Sequence, residues 1–107
     1  MTHPSFRFSA ELFSSGNGAA GSWVMLALPF EQADAIDEVS QSVRHGFGSV
    51  RVEARIGTTT WRTSLFPDRK RESFIMGVKQ QVRRAESLDV GDVAEVEVTL
   101  LEVTARP

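Results

Sequence analysis

The chain has 107 residues, of which 41% are hydrophobic and 24% charged, and its formal net charge is −2 at pH 7. This length suits one domain with one core, and the composition argues against global disorder and against nucleic-acid binding through overall basicity. The lack of cysteine excludes disulfides, thiolate catalysis and cysteine-based zinc sites. Neither a secretory leader nor an apolar run of roughly 20 residues is present, so we expect a cytoplasmic protein that does not enter the membrane.

The first part of the chain predicts two strands and a helix. Residues 6–13 alternate apolar and polar side chains, as in a strand with one solvent-facing side. Residues 14–21 are rich in glycine and predict a turn, whereas residues 22–28 are apolar on both faces and predict a buried strand. A helix led by Pro29 should follow and end at the glycines of residues 45–48. Its apolar face is predicted to contain Phe30, Ala33, Ile36, Val39 and Val43.

A β-hairpin is the clearest local prediction. Residues 50–56 alternate apolar with charged side chains, turn at Gly57, and continue into a second strand at residues 59–66. Pro67 and Asp68 then favour a solvated loop over residues 66–71.

The last part of the chain predicts a strand, a short helix and a closing strand. The strand covers residues 72–78, and the helix covers residues 79–88, with Val78, Val82, Ala85 and Leu88 on one face. A tight turn at residues 89–92 leads into the closing strand at residues 93–103. The adjacent pair Leu100-Leu101 shifts the alternation of this strand, which indicates a bulge or a change of sheet surface.

These elements predict a mostly β fold. Six short strands around so small a core would be best closed, because closure removes exposed edges. We therefore predict a closed or nearly closed six-stranded β-barrel with two short α-helices. The barrel would span residues 6–104, between tails at residues 1–5 and 105–107.

The order of elements and several spaced residues resemble the family named domain of unknown function 1905. The residues that carry the resemblance are Trp23, Leu28-Pro29, Gly48 with Val50, Trp61 to Pro67, Lys79, Val82-Arg83, Ala85, Leu88 and Gly91-Asp92. The resemblance runs from about Phe6 to Val103 and implies a small, usually bacterial β-barrel without an assigned function. Residues 78–98 also resemble the strand, helix, turn and strand unit of swapped-hairpin transition-state regulators, which are dimeric DNA-binding proteins.

Cationic and hydroxyl side chains on the hairpin and the second helix form a candidate ligand site. Arg62 and Ser64 share one face of a hairpin strand, as Arg51 and Arg55 do on the neighbouring strand. Guanidinium groups beside hydroxyls and a tryptophan can bind a carboxylate or phosphate on an apolar body. The candidate ligand-binding residues are Trp61, Arg62, Ser64, Lys79 and Arg83. In the alternative interpretation the arginines face solvent, paired with Glu53, Glu95 and Glu97, and Trp61 belongs to the core.

Six basic residues between Arg69 and Arg84 support a second hypothesis, because such a cluster could bind a phosphate backbone. Cations near the end of a helix also favour its dipole without any ligand. The leading hypothesis is a β-barrel that binds a small anionic molecule, with modest catalytic activity left open. A nucleic-acid-binding regulator and a protein-interaction module are the alternatives, and we expect a monomer or homodimer. His3 and His45 have no partner at metal-ligand spacing, so we expect neither a metal nor a cofactor, and the sequence identifies no catalytic residue.

Overall fold

The computed structural model describes residues 3–15 and 23–103, which form a mostly β fold with two α-helices. The strands are β1 (Ser5–Glu11), β2 (Phe13–Ser15), β3 (Trp23–Ala27), β4 (Val50–Ile56), β5 (Thr59–Asp68), β6 (Ser73–Gly77) and β7 (Val93–Leu100). The helices are α1 (Phe30–Ser40) and α2 (Gln80–Glu86), and a 3-10 turn covers Gly46–Gly48. The strands form one antiparallel sheet in the order β1-β7-β4-β5-β6-β3-β2, curled into a half-barrel.

The core lies on the concave face of this sheet. Alternate residues of β4 are buried, and the register places Ala54 between Trp61 of β5 and Val98 of β7. The helix α1 packs against β1 and β6 and buries Ala33 and Ile36. Alternate side chains of a strand point to the same face of the sheet, so burial of that one face explains why the period-2 segments fold as strands.

The predicted hairpin is confirmed, because β4 pairs with β5 across the turn at Gly57 and Thr58. Gly57 has φ +59°, a conformation that glycine adopts without steric cost. The predicted strands and helices of the last part of the chain also lie within a few residues of β6, α2 and β7.

Several predicted boundaries were wrong. The strand β5 continues to Asp68, which pairs with Ser73, so the predicted loop at residues 66–71 is shorter. The helix α1 ends at Ser40, and Phe30 at its start is 65% exposed rather than core-facing. The closing strand predicted to residue 103 ends at Leu100, because the chain bends at the half-buried Leu101, whose N–H donates to the Arg51 carbonyl at 3.1 Å.

The number of strands also differs from the prediction. The strand predicted at residues 6–13 is divided at Leu12 into β1 and β2, which take the two ends of the sheet order. The ladder breaks there because the Leu12 N–H donates to the Asp92 carbonyl at 2.9 Å and the Leu12 carbonyl accepts from the Gly91 N–H at 2.8 Å. The result is a curled half-barrel of seven strands, not clearly a closed six-stranded barrel.

The remaining predictions concern the turn at residues 14–21, the two tails and the strand at residues 22–28. The predicted turn at residues 14–21 lies mostly outside the described residues, and so do most of the predicted tails. The strand predicted at residues 22–28 was expected to be buried, but Trp23 at its start is 68% exposed. Neither helix in the described part of the chain has the length and apolar content needed to cross a membrane.

The feature that positions the candidate site is a split between β5 and β6. The strand β5 pairs with β4 from Thr59 to Leu65, but it pairs with β6 only from Leu65 to Asp68. Beyond Met76, β6 follows β3 instead, and the Val78 N–H donates to the Val24 carbonyl at 2.9 Å. The two strands therefore diverge, and α2 packs against β5 where they part.

Candidate functional site

The split between β5 and β6 opens into a cavity of about 320 Å³, which we name the β5–α2 cleft. It is lined by residues 23–24, 61–63 and 77–80 and by Arg83. Its volume lies at the small end of the range of roughly 300–1,000 Å³ that is usual for ligand pockets.

The helix α2 is held firmly against this side of the sheet. Val82 is 1% exposed, and the Thr59 hydroxyl donates to the Glu86 carboxylate at 2.5 Å. The same carboxylate lies where a side chain at Gly57 would have to begin. The hairpin turn and α2 are thus fitted to each other, and this contact fixes one wall of the cleft.

Two tryptophans from different strands line the cleft. Trp61 belongs to the inner face of β5 and is 8% exposed, so it is a core residue with one part reaching the cleft. Trp23 begins β3 and is 68% exposed. Together they give the cleft an aromatic surface that can contact an apolar ligand body.

Three cations lie on the two walls of the cleft. Arg62 is exposed on β5, while Lys79 and Arg83 lie four residues apart, a spacing that places side chains on one side of a helix. The Arg83 Nε donates to the Val78 carbonyl at 2.9 Å. This bond orients the guanidinium group and leaves both of its terminal nitrogens for a ligand.

The cleft is electrostatically positive. Its lining contains no aspartate or glutamate, and within residues 3–15 and 23–103 no salt bridge engages Arg62, Lys79 or Arg83. Glu53 lies directly opposite Arg62 on β4, but no salt bridge joins these two side chains.

Two arginines of the outer sheet face, unlike the cations of the cleft, form salt bridges. Arg55 approaches Glu97 at 2.9 Å and Arg7 approaches the same carboxylate at 3.0 Å. The hydrogen bond from Arg7, aided by the charge of Arg55, holds the pKa of Glu97 below its ordinary value. For Arg55, the alternative interpretation of a solvent-facing arginine paired with an acid is confirmed.

The structure brings four of the five sequence-predicted site residues into one cleft: Trp61, Arg62, Lys79 and Arg83. The fifth, Ser64, is half-buried on the outward side of β5 opposite Arg51 and is not part of the lining. Sequence reasoning did not place Trp23 in the site. The only signal was its position among the residues that carry the family resemblance.

The basic segment from Arg69 to Arg84 is divided into two groups by β6. Its first three cations lie in the turn between β5 and β6, whereas Lys79, Arg83 and Arg84 lie beyond the other end of β6. A five-residue strand separates the groups by roughly 13 Å. Arg71 is also engaged, with Asp68 at 2.5 Å and with the Phe13 ring at 4.4 Å.

The described residues contain no cluster of three or more side chains suited to hold a metal ion. His45 instead contacts the Glu102 carboxylate at 2.5 Å. The turn acid Asp68 has its pKa lowered because Arg71 donates a hydrogen bond to it, which marks a local ion pair rather than a reactive group.

Comparison with known proteins identifies a family. The family model described as domain of unknown function (DUF1905) matches residues 8–98, a range that includes every residue lining the cleft. The resemblance expected from the sequence is thereby confirmed. No curated protein matches the chain.

Proposed function

The chain belongs to the family of domain of unknown function DUF1905, whose description names no activity, and we propose that it binds a small organic anion in the β5–α2 cleft. The observation that carries the proposal is the lining itself: three cations and two tryptophans with no carboxylate among them. Such a lining complements a carboxylate or phosphate attached to an apolar body.

Each side chain has a distinct part in this binding. Arg83, oriented through its bond to Val78, can offer two parallel N–H donors to a carboxylate or phosphate. Lys79 and Arg62 add positive charge from the two walls. The side chain of Lys79 can adjust its conformation to the ligand because its aliphatic stem is flexible. Trp61 and Trp23 contact the apolar part of the ligand.

We propose binding rather than turnover. The lining contains cations that could stabilise an anionic intermediate. It contains no histidine, aspartate or glutamate to serve as a general base.

We also infer that the half-barrel closes into a six-stranded barrel, which would make the cleft wall rigid. The strands β1 and β2 stand at opposite ends of the sheet order, yet only Leu12 separates them along the chain. Leu12 is 0% exposed, which supports an interior position between the two ends. Closure at this point would leave the split between β5 and β6 as the opening of the barrel.

The test is a nuclear magnetic resonance titration of the ¹⁵N-labelled protein with phenyl phosphate and with benzoate, and with neutral benzamide as the control. We expect both anions to shift the indole signal of Trp61 and the amide signals of Lys79 and Arg83 at saturable concentrations. Benzamide, which has the same ring without the charge, should shift them far less.

Two outcomes would contradict the proposal. One is the absence of saturable shifts with either anion. The other is a set of shifts spread equally over exposed cations outside the cleft, such as Lys70 and Arg84, because that pattern indicates general ionic attraction.

A further inference from the structure

The backbone of Gly77 forms part of the lining of the β5–α2 cleft. Gly77 lies opposite Met25 of β3. The next pair along these strands, Met76 with Leu26, is fully buried. Because successive residues of a strand point to opposite faces of the sheet, Gly77 belongs to the outer face. The cleft therefore has a floor of bare backbone on this face.

Neither backbone conformation nor packing requires a glycine at this position. The φ angle of Gly77 lies outside the left-handed region that favours glycine. A Cβ atom at Gly77 would meet nothing within 4 Å, so the space above the backbone is open. A glycine in a strand is typical of a place where a ligand approaches the backbone closely. A ligand in the cleft can therefore rest directly on Gly77.

An exposed indole and a cation stand beside this floor. The register of β3 with β6, continued by two residues, places Lys79 directly opposite Trp23 on the outer face. The pairing does continue, because the Val78 N–H donates to the Val24 carbonyl at 2.9 Å and the backbone of Lys79 is extended. An aromatic contact and a positive charge are thus available at the same edge of the floor.

A flat ring fits this arrangement better than a bulky body. It can lie on the backbone of Gly77 with the indole of Trp23 beside it, and aromatic rings attract each other in such contacts. A puckered aliphatic ring of similar size touches a bare floor with fewer atoms. The small volume of the cleft, about 320 Å³, also favours a compact ring system.

The charge of the cleft favours a phosphate over a carboxylate. Arg62, Lys79 and Arg83 line it, and none of them has a salt-bridge partner within the described residues. A phosphate monoester carries roughly −1.5 to −2 charges at pH 7 and three strong acceptor oxygens. It can therefore engage more of these cations than a carboxylate, which has a single charge shared by its oxygens.

We propose that the ligand of the β5–α2 cleft is a phosphate monoester of a flat aromatic molecule. Its ring lies on Gly77 beside Trp23. Its phosphate binds Arg62, Lys79 and Arg83. This inference rests on the proposed function, to which it adds the kind of anion and the residue that selects the shape of the body. Aryl phosphates and nucleoside monophosphates share this chemistry.

The primary experiment compares phenyl phosphate with cyclohexyl phosphate by isothermal titration calorimetry on the whole chain. At about pH 8 both are dianions, and they differ in whether the ring is flat. We expect phenyl phosphate to bind roughly tenfold more tightly than cyclohexyl phosphate, and more tightly than benzoate. Equal binding of the two phosphates, or binding of benzoate as tight as that of phenyl phosphate, would overturn the inference.

Substitution of Gly77 tests the floor of the cleft. Gly77→Ala and Gly77→Val place a side chain in open space, so both variants should unfold in urea at least as late as the unsubstituted protein. We expect Gly77→Val to weaken the binding of phenyl phosphate by roughly tenfold and to abolish its preference over cyclohexyl phosphate. Gly46→Ala is the control, because Gly46 also has nothing within 4 Å but lies outside the cleft. A folded Gly77→Val protein that keeps the preference would contradict the inference.

Adenosine 5′-monophosphate distinguishes the two sources of such a ligand. Tighter binding of this nucleotide than of phenyl phosphate would assign the ligand to the nucleotides, and weaker binding would assign it to the aryl phosphates. In both cases ribose 5-phosphate, which has no aromatic ring, should bind more weakly than the preferred ligand, and equal binding would overturn the inference.

The same measurements separate this inference from the proposed function. If the anions bind in the cleft but a flat ring gives no advantage, the inference fails alone. If phenyl phosphate, cyclohexyl phosphate and benzoate all fail to bind, the proposed function fails too.

Discussion

Arg83 lies between two depressions of the protein surface. One is the β5–α2 cleft, and the other is a groove along α2 that Arg84, Ser87 and Asp89 help to line. Arg83 is half-buried and bonded to the Val78 carbonyl, whereas its neighbour Arg84 is exposed. Two arginines adjacent in sequence therefore have different surroundings, and this makes them a matched pair for testing the cleft.

We predict that Arg83→Gln weakens the binding of phenyl phosphate by roughly 10- to 100-fold, the usual effect of losing hydrogen bonds to a charged group. Arg84→Gln removes the same charge outside the cleft and should change the affinity by less than about twofold. Isothermal titration calorimetry at constant ionic strength measures both. Equal losses in the two variants would show that net charge, rather than the cleft, attracts the anion.

At the scale of elements, Leu12 is where one continuous segment passes from one end of the sheet to the other. Its backbone groups bond to Asp92 and Gly91 in the turn before β7, and its side chain is fully buried. The turn residue Gly91 has φ +96°, so glycine lets the chain fold back to reach Leu12. This contact joins the start of β7 to the junction of β1 and β2.

We predict that Leu12→Ala lowers the free energy of unfolding by roughly 2–5 kcal/mol, through lost burial and a cavity. If the barrel closes at Leu12, amide exchange should accelerate together in β1 and β2. The half-buried Leu101 provides the control, since Leu101→Ala should cost much less. Denaturant unfolding and hydrogen exchange measure these effects. Faster exchange in β1 with no change in β2 would contradict closure.

The sequence predicted most elements because alternation and helical spacing report which face of an element is buried. It could not predict the break at Leu12, since the alternation of residues 6–13 continues across it. Nor could it predict the split between β5 and β6, because alternation carries no information about which strand lies beside another. Ser64 was included in the site because it shares a face with Arg62. Whether a residue lines the cleft also depends on how far along β5 it lies, and alternation does not report this. Trp23 was missed because it begins the apolar run of residues 22–28, and such a run predicts a buried strand rather than an exposed side chain.

At the scale of the whole molecule, ion pairs on the outer sheet face connect strands that are distant in sequence. Glu97 of β7 holds Arg7 of β1 and Arg55 of β4, its neighbours on either side. On the same face, the Ser9 hydroxyl donates to the Glu95 carboxylate. Such exposed pairs contribute little singly, but they give the folded state a dependence on pH.

We predict that the free energy of unfolding decreases as the pH falls below about 4.5, the ordinary pKa of the Glu97 carboxyl. The folded pKa is lowered, so the unfolded chain binds the proton first, and the stabilisation present above this pH is lost through the folded pKa. Glu97→Gln should make the decrease shallower, as urea unfolding across pH would show. Glu38→Gln on α1, which has no ion pair within the described residues, should leave the slope unchanged, and an equal slope in both variants would contradict the assignment.

The pairing of β1 with β7 has a consequence for the synthesis of this protein. Ser5 lies opposite Thr99, and β4 also takes β7 as its neighbour. During translation, β1 and one edge of β4 must therefore remain without their partner until the segment Val93–Leu100 has left the ribosome. Contacts between residues so far apart in sequence slow folding. We accordingly expect nascent chains that stop before β7 to expose two unpaired strand edges and to be recognised by chaperones, whereas the released chain can complete its sheet.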